Sequence, residues 1–294
     1  MDYKSPFHLF GKEIERYHIK KERTRLLAQF ESNDDQPIEL EGKLYTKPEV
    51  IELLDTAEDR KKYDYHLKIY KNKILLNFLE EGYFSMDDAE AWNDESLFTE
   101  EFINFVSPYF VYRYSSLYYQ AYKALNYAFL EQLKFMPLLC KEEQYDECYK
   151  KTYNEFNSLC ESLEKDVNTI QQTNDLGQIR GNYYETPERI NCINAFTDYF
   201  DELVDKNAFN LGELSSQALK YANPEFGRKI LNQAIRINCR SEVKDKMMKL
   251  YNTVKNNNRT SSNRNTEEET NPWRVIRVIL GLLLLAIAIA RRCA

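Results

Sequence analysis

The sequence predicts an all-α protein with one small β-hairpin and one transmembrane helix at its carboxyl terminus. The chain has only 8 Gly and 8 Pro in 294 residues, which is too few turn residues for a β-barrel or β-sandwich. Hydrophobic residues make up 43% of the chain and recur mostly at helical spacing, so a packed core is expected. These helices are expected to form a bundle or an irregular array of αα-hairpins.

The first elements are indicated by cap and turn residues. Ser5 and Pro6 predict a helix start, and apolar residues at helical spacing extend that helix to Tyr17. Residues 37–46 alternate in polarity around Gly42, which predicts a β-hairpin. An isolated hairpin is only marginally stable, so this one is expected to pack on a helix.

From Thr46 onward, caps and helix breakers divide the chain into helices. Gly82 is expected to end one helix, Pro108 to open a long one, and Pro137 to stop it. The predicted helices are 47–55, 58–81, 108–136, 139–170, 187–206, 212–222, 224–238 and 241–256.

Three segments are predicted along the chain. Residues 1–254 form a helical body, in which the loop at 171–185 is a candidate boundary between two subdomains. One continuous helical array is an equally good interpretation. Residues 255–272 have the polar composition of a flexible tether, and residues 273–294 form the candidate membrane anchor.

The anchor is predicted from its apolar length and its flanks. Residues 278–290 are apolar without interruption and span about 20 Å as a helix. Adding Val275 and Ile276 extends this to about 24 Å if the arginine between them and Val278 snorkels toward the headgroups. The flanking residues typical of a membrane interface are Trp273, Arg274, Arg277, Arg291 and Arg292. The alternative is a terminal helix docked on the body, because the span is shorter than a full bilayer core.

The location of the body follows from the amino terminus, which has no apolar run long enough for a signal peptide. The body is therefore expected in the cytoplasm. The short apolar span of the anchor suits a thin bilayer. That would be the endoplasmic reticulum or mitochondrial outer membrane in a eukaryote, and the inner membrane in a bacterium. Cys293, beside the basic flank, is a candidate acylation site, with an unmodified thiol as the alternative.

Charge limits the partners that are expected. The net charge is −7, and because 273–294 carries four arginines and no acid, the remaining residues carry −11. An acidic body disfavours nucleic acid, whose phosphates it would repel. The expected partners are the lipid bilayer, through 273–294, and a protein that the sequence does not identify.

The stretch 108–135 is unusually rich in tyrosine, and two of its faces are apolar at helical spacing. One face is a candidate partner groove, formed by Tyr112, Tyr119, Tyr122 and Phe129. The other could admit a close neighbouring helix, with Phe110, Leu117, Ala121, Ala124 and Ala128. A helix in the centre of the core, with apolar contacts on both faces, is the interpretation that we favour over the groove.

Motifs for catalysis are missing from the sequence. There is no GxSxG, HExxH, GxxxxGK[ST] or GxGxxG, the three histidines are interpreted as structural, and no catalytic residue, metal ligand or cofactor is predicted. The first functional hypothesis is therefore a tail-anchored, single-pass membrane protein whose body acts as an interaction or scaffold module. The alternatives are a membrane-tethered enzyme of unrecognised type, acting near a lipidic or membrane-bound substrate, and a structural subunit of a membrane complex.

Overall fold

The structure is a computed structural model, which describes residues 2–84, 92, 94–178, 186–220 and 223–253. It is mostly helical with one small antiparallel sheet, which confirms the predicted fold class of the body. The predicted tether at 255–272 and the predicted transmembrane helix at 273–294 lie outside these residues. Within the described ranges, no helix is both long enough and apolar enough to span a bilayer.

The strands are β1 (Ile38–Leu40) and β2 (Lys43–Tyr45). The first helices are α1 (Ile19–Ser32), α2 (Lys47–Glu58), α3 (Arg60–Lys71), α4 (Lys73–Glu81), α5 (Glu100–Lys123) and α6 (Tyr127–Lys134). They are followed by α7 (Tyr145–Thr173), α8 (Pro187–Asn194), α9 (Asp201–Lys220), α10 (Pro224–Ala234) and α11 (241–253).

The chain separates into two compact units. The first consists of residues 1–162 and 185–204, and the second of 163–184 and 205–294. Long helices contribute to both, since α7 and α9 each cross a unit boundary. The candidate site described below belongs to the first unit.

The hairpin forms at the predicted place. Glu41 and Gly42, at its tip, both have positive φ (50° and 75°), the backbone of a type I′ turn. Ile38 pairs with Tyr45, and Tyr45 is buried in the same apolar cluster as Val50 of α2. The hairpin therefore packs on a helical core, as an isolated pair of strands must.

The amino-terminal helix was predicted wrongly. Ser5 does cap a turn, because its hydroxyl accepts the N–H of Phe7, but that turn is a short 3₁₀ helix, Pro6–Leu9. Gly11 then adopts a φ of +65°, which no helix contains. The long helix of this region, α1, starts only at Ile19.

Two predicted long helices are each divided in the structure. The helix expected at 58–81 is interrupted at Asn72, whose side-chain oxygen accepts the N–H of Leu75 and starts α4. The helix expected at 108–136 begins eight residues earlier, at Glu100, and contains Pro108 in its interior. It ends at Lys123 because Leu125 has a φ of +55°.

The second unit is a packing of the later helices. Ser215 on α9 donates to the carbonyl of Gly227 on α10 over 2.7 Å. A Cβ at Gly227 would come within 2.8 Å of Leu219, so only glycine permits this approach of α9 and α10. Asp205 accepts the backbone N–H of Arg240 at 2.8 Å and pairs with its guanidinium, which places the chain that leads into α11. The two helices expected at 187–206 and 212–222 are instead α8 and a continuous α9.

Candidate functional site at the amino terminus

A polar cavity of about 470 Å³ lies where the amino-terminal segment crosses the end of α4. The hairpin contributes β2 to its wall, and α5 contributes one arginine. The charged and titratable residues in its lining are Asp2, Lys4, His8, Lys43, Glu80 and Arg113. Two tyrosines and a leucine complete the lining. Acidic, basic, imidazole and phenol side chains therefore converge on this cavity.

Glu80 is the central acceptor of this cavity. One of its carboxylate oxygens accepts the backbone N–H of Ser5 at 2.8 Å, and His8 Nε2 lies 2.9 and 3.0 Å from its two oxygens. Lys43 Nζ approaches at 3.3 Å. Burial on its own would raise the pKa of Glu80, but the hydrogen bonds from His8 and Ser5 outweigh burial and lower it. The carboxylate is therefore ionised at neutral pH and holds the amino-terminal segment on α4.

Arg113 of α5 lies at the same end of α4 as Glu80. Its Nε donates to the carbonyl of Leu79 at 3.1 Å, and its Nη2 donates to the carbonyl of Glu80 at 2.7 Å. The last turn of a helix leaves its carbonyl groups without partners in the helix, and α4 stops at Gly82 in the left-handed conformation. Arg113 satisfies two of those carbonyls, and it also reaches Asp2 at 3.2 Å.

Tyr3 and His66 form the buried wall beside the cavity. The Tyr3 hydroxyl lies 2.8 Å from His66 Nδ1, and the two rings are almost fully enclosed. Burial, together with the positive charge of Lys62, lowers the pKa of His66 to about 4. His66 is therefore neutral at pH 7 and can accept the Tyr3 hydrogen bond. It is a buried, hydrogen-bonded histidine, as its sequence context predicted.

A second, smaller cavity of about 240 Å³ shares Asp2 and Lys4 with the first. Its lining also contains His66 and Glu49. Lys4 is paired with Glu49 at 2.6 Å, and this bond, with those from Thr46, lowers the pKa of Glu49 to about 2. The amino-terminal segment therefore separates two polar cavities and is held by an ion pair on each side.

The charges of the larger cavity define what it can bind. Lys4, Lys43 and Arg113 outnumber the carboxylates of Asp2 and Glu80, so the lining carries one net positive charge when His8 is neutral. That balance favours an anionic group, such as a carboxylate or phosphate, over a cation.

The candidate groove residues occupy unlike environments. Tyr112 is 42% exposed, whereas Tyr122 is buried at 5%. Tyr119 is half-buried, and its hydroxyl donates to Glu155 of α7 at 2.6 Å. Phe129 is half-buried on a separate helix, α6. The groove stays a prediction, but these side chains do not share a single face.

The core face of α5 differs from the predicted one. Ala124 and Ala128, expected against a neighbouring helix, are exposed. The buried face instead repeats every four residues, at Phe102, Val106, Phe110, Tyr114, Tyr118 and Tyr122. Because the helix was expected to start at Pro108, the first two residues of this stripe, Phe102 and Val106, were not included in the prediction. The interpretation of α5 as a core helix is correct. Of the residues assigned to its apolar faces, Phe110, Ala121 and Tyr122 are buried, whereas Tyr112, Ala124 and Ala128 are exposed.

The cluster formed by Glu80 and Arg113 was not predicted from the sequence, although two features of the sequence indicate it. Glu80 and Glu81 stand directly before Gly82, at the helix end where the dipole disfavours negative charge. Arg113 is the only charged residue between 102 and 122, in an otherwise aromatic and apolar helix. A lone cation on such a helix needs partners, and carbonyls at a helix end are suitable ones.

The remaining predicted site residues belong to the carboxyl terminus. The anchor residues Trp273, Arg274, Arg277, Arg291 and Arg292 lie outside the described residues, as does the candidate acylation site Cys293. They stay predictions. Neither the protein-family models nor the curated proteins nor the solved structures contain a match to this chain.

Proposed function

We propose that this chain is a tail-anchored, single-pass membrane protein whose helical body is an interaction module at the cytoplasmic face. The observation that carries the proposal is the uninterrupted apolar run at 278–290, flanked by arginine pairs and preceded by Trp273. Apolar residues occur all round this segment, whereas a helix lying on a membrane surface would keep a polar face.

The tether supports the same proposal. Residues 255–272 contain Asn, Ser, Thr, Glu and Arg almost exclusively, a composition that cannot form a core. A flexible polar linker of this kind would let the folded body move at some distance from an anchor in the membrane. The last described helix, α11, belongs to the second compact unit, so the body has its own packed structure before the tether begins.

The proposed interaction surface is the amino-terminal cavity with its net positive lining. Leu44 on the rim of the cavity is 71% exposed, and the neighbouring Lys43 is half-exposed. A partner could therefore contact an apolar side chain and a positive charge at adjacent positions. A protein partner that presents an acidic side chain next to an apolar one would match this pair.

A membrane-tethered enzyme is the second candidate, and one observation favours it. His8 and Glu80 are hydrogen-bonded in a cavity large enough for a small substrate, with Lys43 and Arg113 available for an anionic group. Glu80→Gln would abolish turnover in such an enzyme. In an interaction module that binds an acidic partner it would leave binding intact, because it removes a negative charge from the lining.

Vesicle flotation of the purified full chain tests the anchor. We expect the parent to float with phosphatidylcholine vesicles and Leu284→Arg, in the middle of the apolar run, to remain at the bottom of the gradient. Asn263→Arg is the matched control, since it adds the same charge within the tether and should float like the parent. If Leu284→Arg floats as well as the parent does, the segment does not cross the bilayer.

A further inference from the structure

Two cysteines lie in contact in the first unit, at the junction between α6 and α7. Cys140 is in the connecting segment, and Cys148 is in the first turn of α7. Their sulfur atoms are 4.0 Å apart. Cys148 is fully buried, and Cys140 is half-buried. We propose that Cys140 and Cys148 form a reversible disulfide, with hydrogen peroxide or an organic hydroperoxide as the oxidant.

The segment that carries Cys140 is fixed by its neighbours in the chain. Leu139, directly before Cys140, is fully buried and fixes the connecting segment against the core. A 3₁₀ turn at Glu142–Gln144 follows, in which the side chain of Gln144 accepts the N–H of Lys141. Since a disulfide has a sulfur separation of about 2.05 Å, each sulfur needs to move by only about 1 Å. Rotation about side-chain bonds can supply such a movement without unfolding α7.

The two thiols have different chemical characters. The two thiols are in hydrogen-bond contact, and this contact lowers the pKa of Cys140 although burial opposes it. The same contact, together with burial, raises the pKa of Cys148. Because the thiolate is the reactive form and Cys140 is the more exposed sulfur, Cys140 reacts with the oxidant and Cys148 resolves the product.

A comparison thiol is present in the same unit. Cys192 is fully buried, and burial raises its pKa to about 11. It therefore has little thiolate character at neutral pH and little access to an oxidant. Cys192 is therefore an inert, structural cysteine, and it serves as the internal control.

The oxidation balances in two steps. The Cys140 thiolate attacks one peroxide oxygen, the O–O bond breaks, and the departing hydroxide takes up the proton that Cys140 had lost, giving a sulfenic acid and water. The Cys148 sulfur then attacks the Cys140 sulfur and displaces hydroxide, which leaves as water with the proton of Cys148. Two thiols and one hydrogen peroxide thus give one disulfide and two waters. A dithiol reductant reverses the change by thiol–disulfide exchange.

Tryptic digestion makes the bond directly visible, because Lys141 separates the two cysteines. Cys140 falls in the peptide 135–141 and Cys148 in the peptide 142–150. The full chain in detergent is treated with hydrogen peroxide, blocked with N-ethylmaleimide and digested. We expect one species with the summed mass of both peptides less two hydrogens, which dithiothreitol separates. No such species at peroxide concentrations that modify Cys140 would overturn the proposal.

Variants and an unfolded control sharpen the test. Cys140→Ser should abolish the linked peptides, and Cys192→Ser should leave their yield unchanged. Cys148→Ser should leave a sulfenic acid on Cys140 that dimedone traps, and an unlabelled Cys140 would contradict its role as the first sulfur to react. In urea, Cys148 should also pair with Cys160. A folded parent that gives the same mixture as the urea-treated chain would show that the native contact does not direct the bond.

Discussion

The ring of Tyr118 stacks on the ring of Phe200, with 5.9 Å between centroids and 8° between planes. Both side chains are fully buried, and Tyr149 of α7 meets each of them edge-on. Three separate parts of the chain, α5, α7 and the segment after α8, therefore meet at Tyr118. This contact makes Tyr118 a central residue of the first unit.

Tyr118→Ala should accordingly lower the free energy of unfolding by roughly 3–5 kcal/mol, as truncation of a large buried ring does. Urea denaturation of the body, residues 1–272, measures the change. Tyr119→Ala is the matched control, because its ring is partly exposed and loses mainly the hydrogen bond to Glu155. Its effect should be much smaller, and equal effects of the two substitutions would contradict the assigned core face of α5.

Sequence patterns located the elements best where a local interaction determines the backbone. Gly42 and the alternating residues around it predicted the hairpin. The helix expected to start at 187 does start there, because Thr186 caps α8 and Pro187 is its first residue. The start of α5 could not be obtained in this way. Pro108 resembles a helix start, but the buried stripe that includes Val106 and Phe110 continues the helix through it. Tertiary packing there outweighs the local preference of proline.

The candidate site was harder to predict from the sequence, because it brings together segments that are far apart along the chain. Glu80 receives Ser5 and His8 from 75 and 72 residues away. No local spacing encodes such a meeting. The charge of Glu80 at a helix end and the isolation of Arg113 indicate that each needs a partner, but not which partner it finds.

Glu80→Gln should destabilise the body by about 1–2 kcal/mol at pH 7, through weaker hydrogen bonds to a neutral acceptor. The pKa of Glu80 is lowered in the folded state, so its contribution is present above the unfolded carboxyl pKa and is lost as the pH falls through the folded value. The difference between parent and variant should therefore shrink toward pH 3. Denaturation curves at several pH values measure it, with Glu81→Gln, an exposed neighbour, as control.

His66 predicts a second pH dependence. Its pKa is about 4 when folded, against about 6.5 in an unfolded chain, so the unfolded state binds a proton first as the pH falls. Stability should therefore decrease from pH 6.5 to pH 4, by up to about 3 kcal/mol. His66→Gln keeps an acceptor for Tyr3 but cannot titrate, and it should remove most of this slope. An unchanged slope would assign it to other groups.

The short apolar tail predicts a preference for thin bilayers. As a helix that includes Val275 and Ile276, it is about 24 Å long, which is less than the thickness of a typical hydrocarbon core, about 30 Å. Flotation of the full chain should be more efficient with vesicles of short-chain phosphatidylcholine than with long-chain vesicles of the same headgroup. Inserting three leucines after Leu285 should reduce the difference. A parent that floats equally well with both lipids would contradict a spanning helix of this length.

The central claim is that 273–294 holds an independently folded body on a membrane. The most direct test compares the full chain with residues 1–272 in cells, by washing membranes first in high salt and then at alkaline pH. High salt releases any attachment through surface charge, including that of the basic run at 20–25. We predict that the full chain stays in the membrane pellet, and that the truncated chain is in the supernatant and unfolds cooperatively on heating. A truncated chain that stays with the membranes after the salt wash, or a full chain released by it, would contradict the claim.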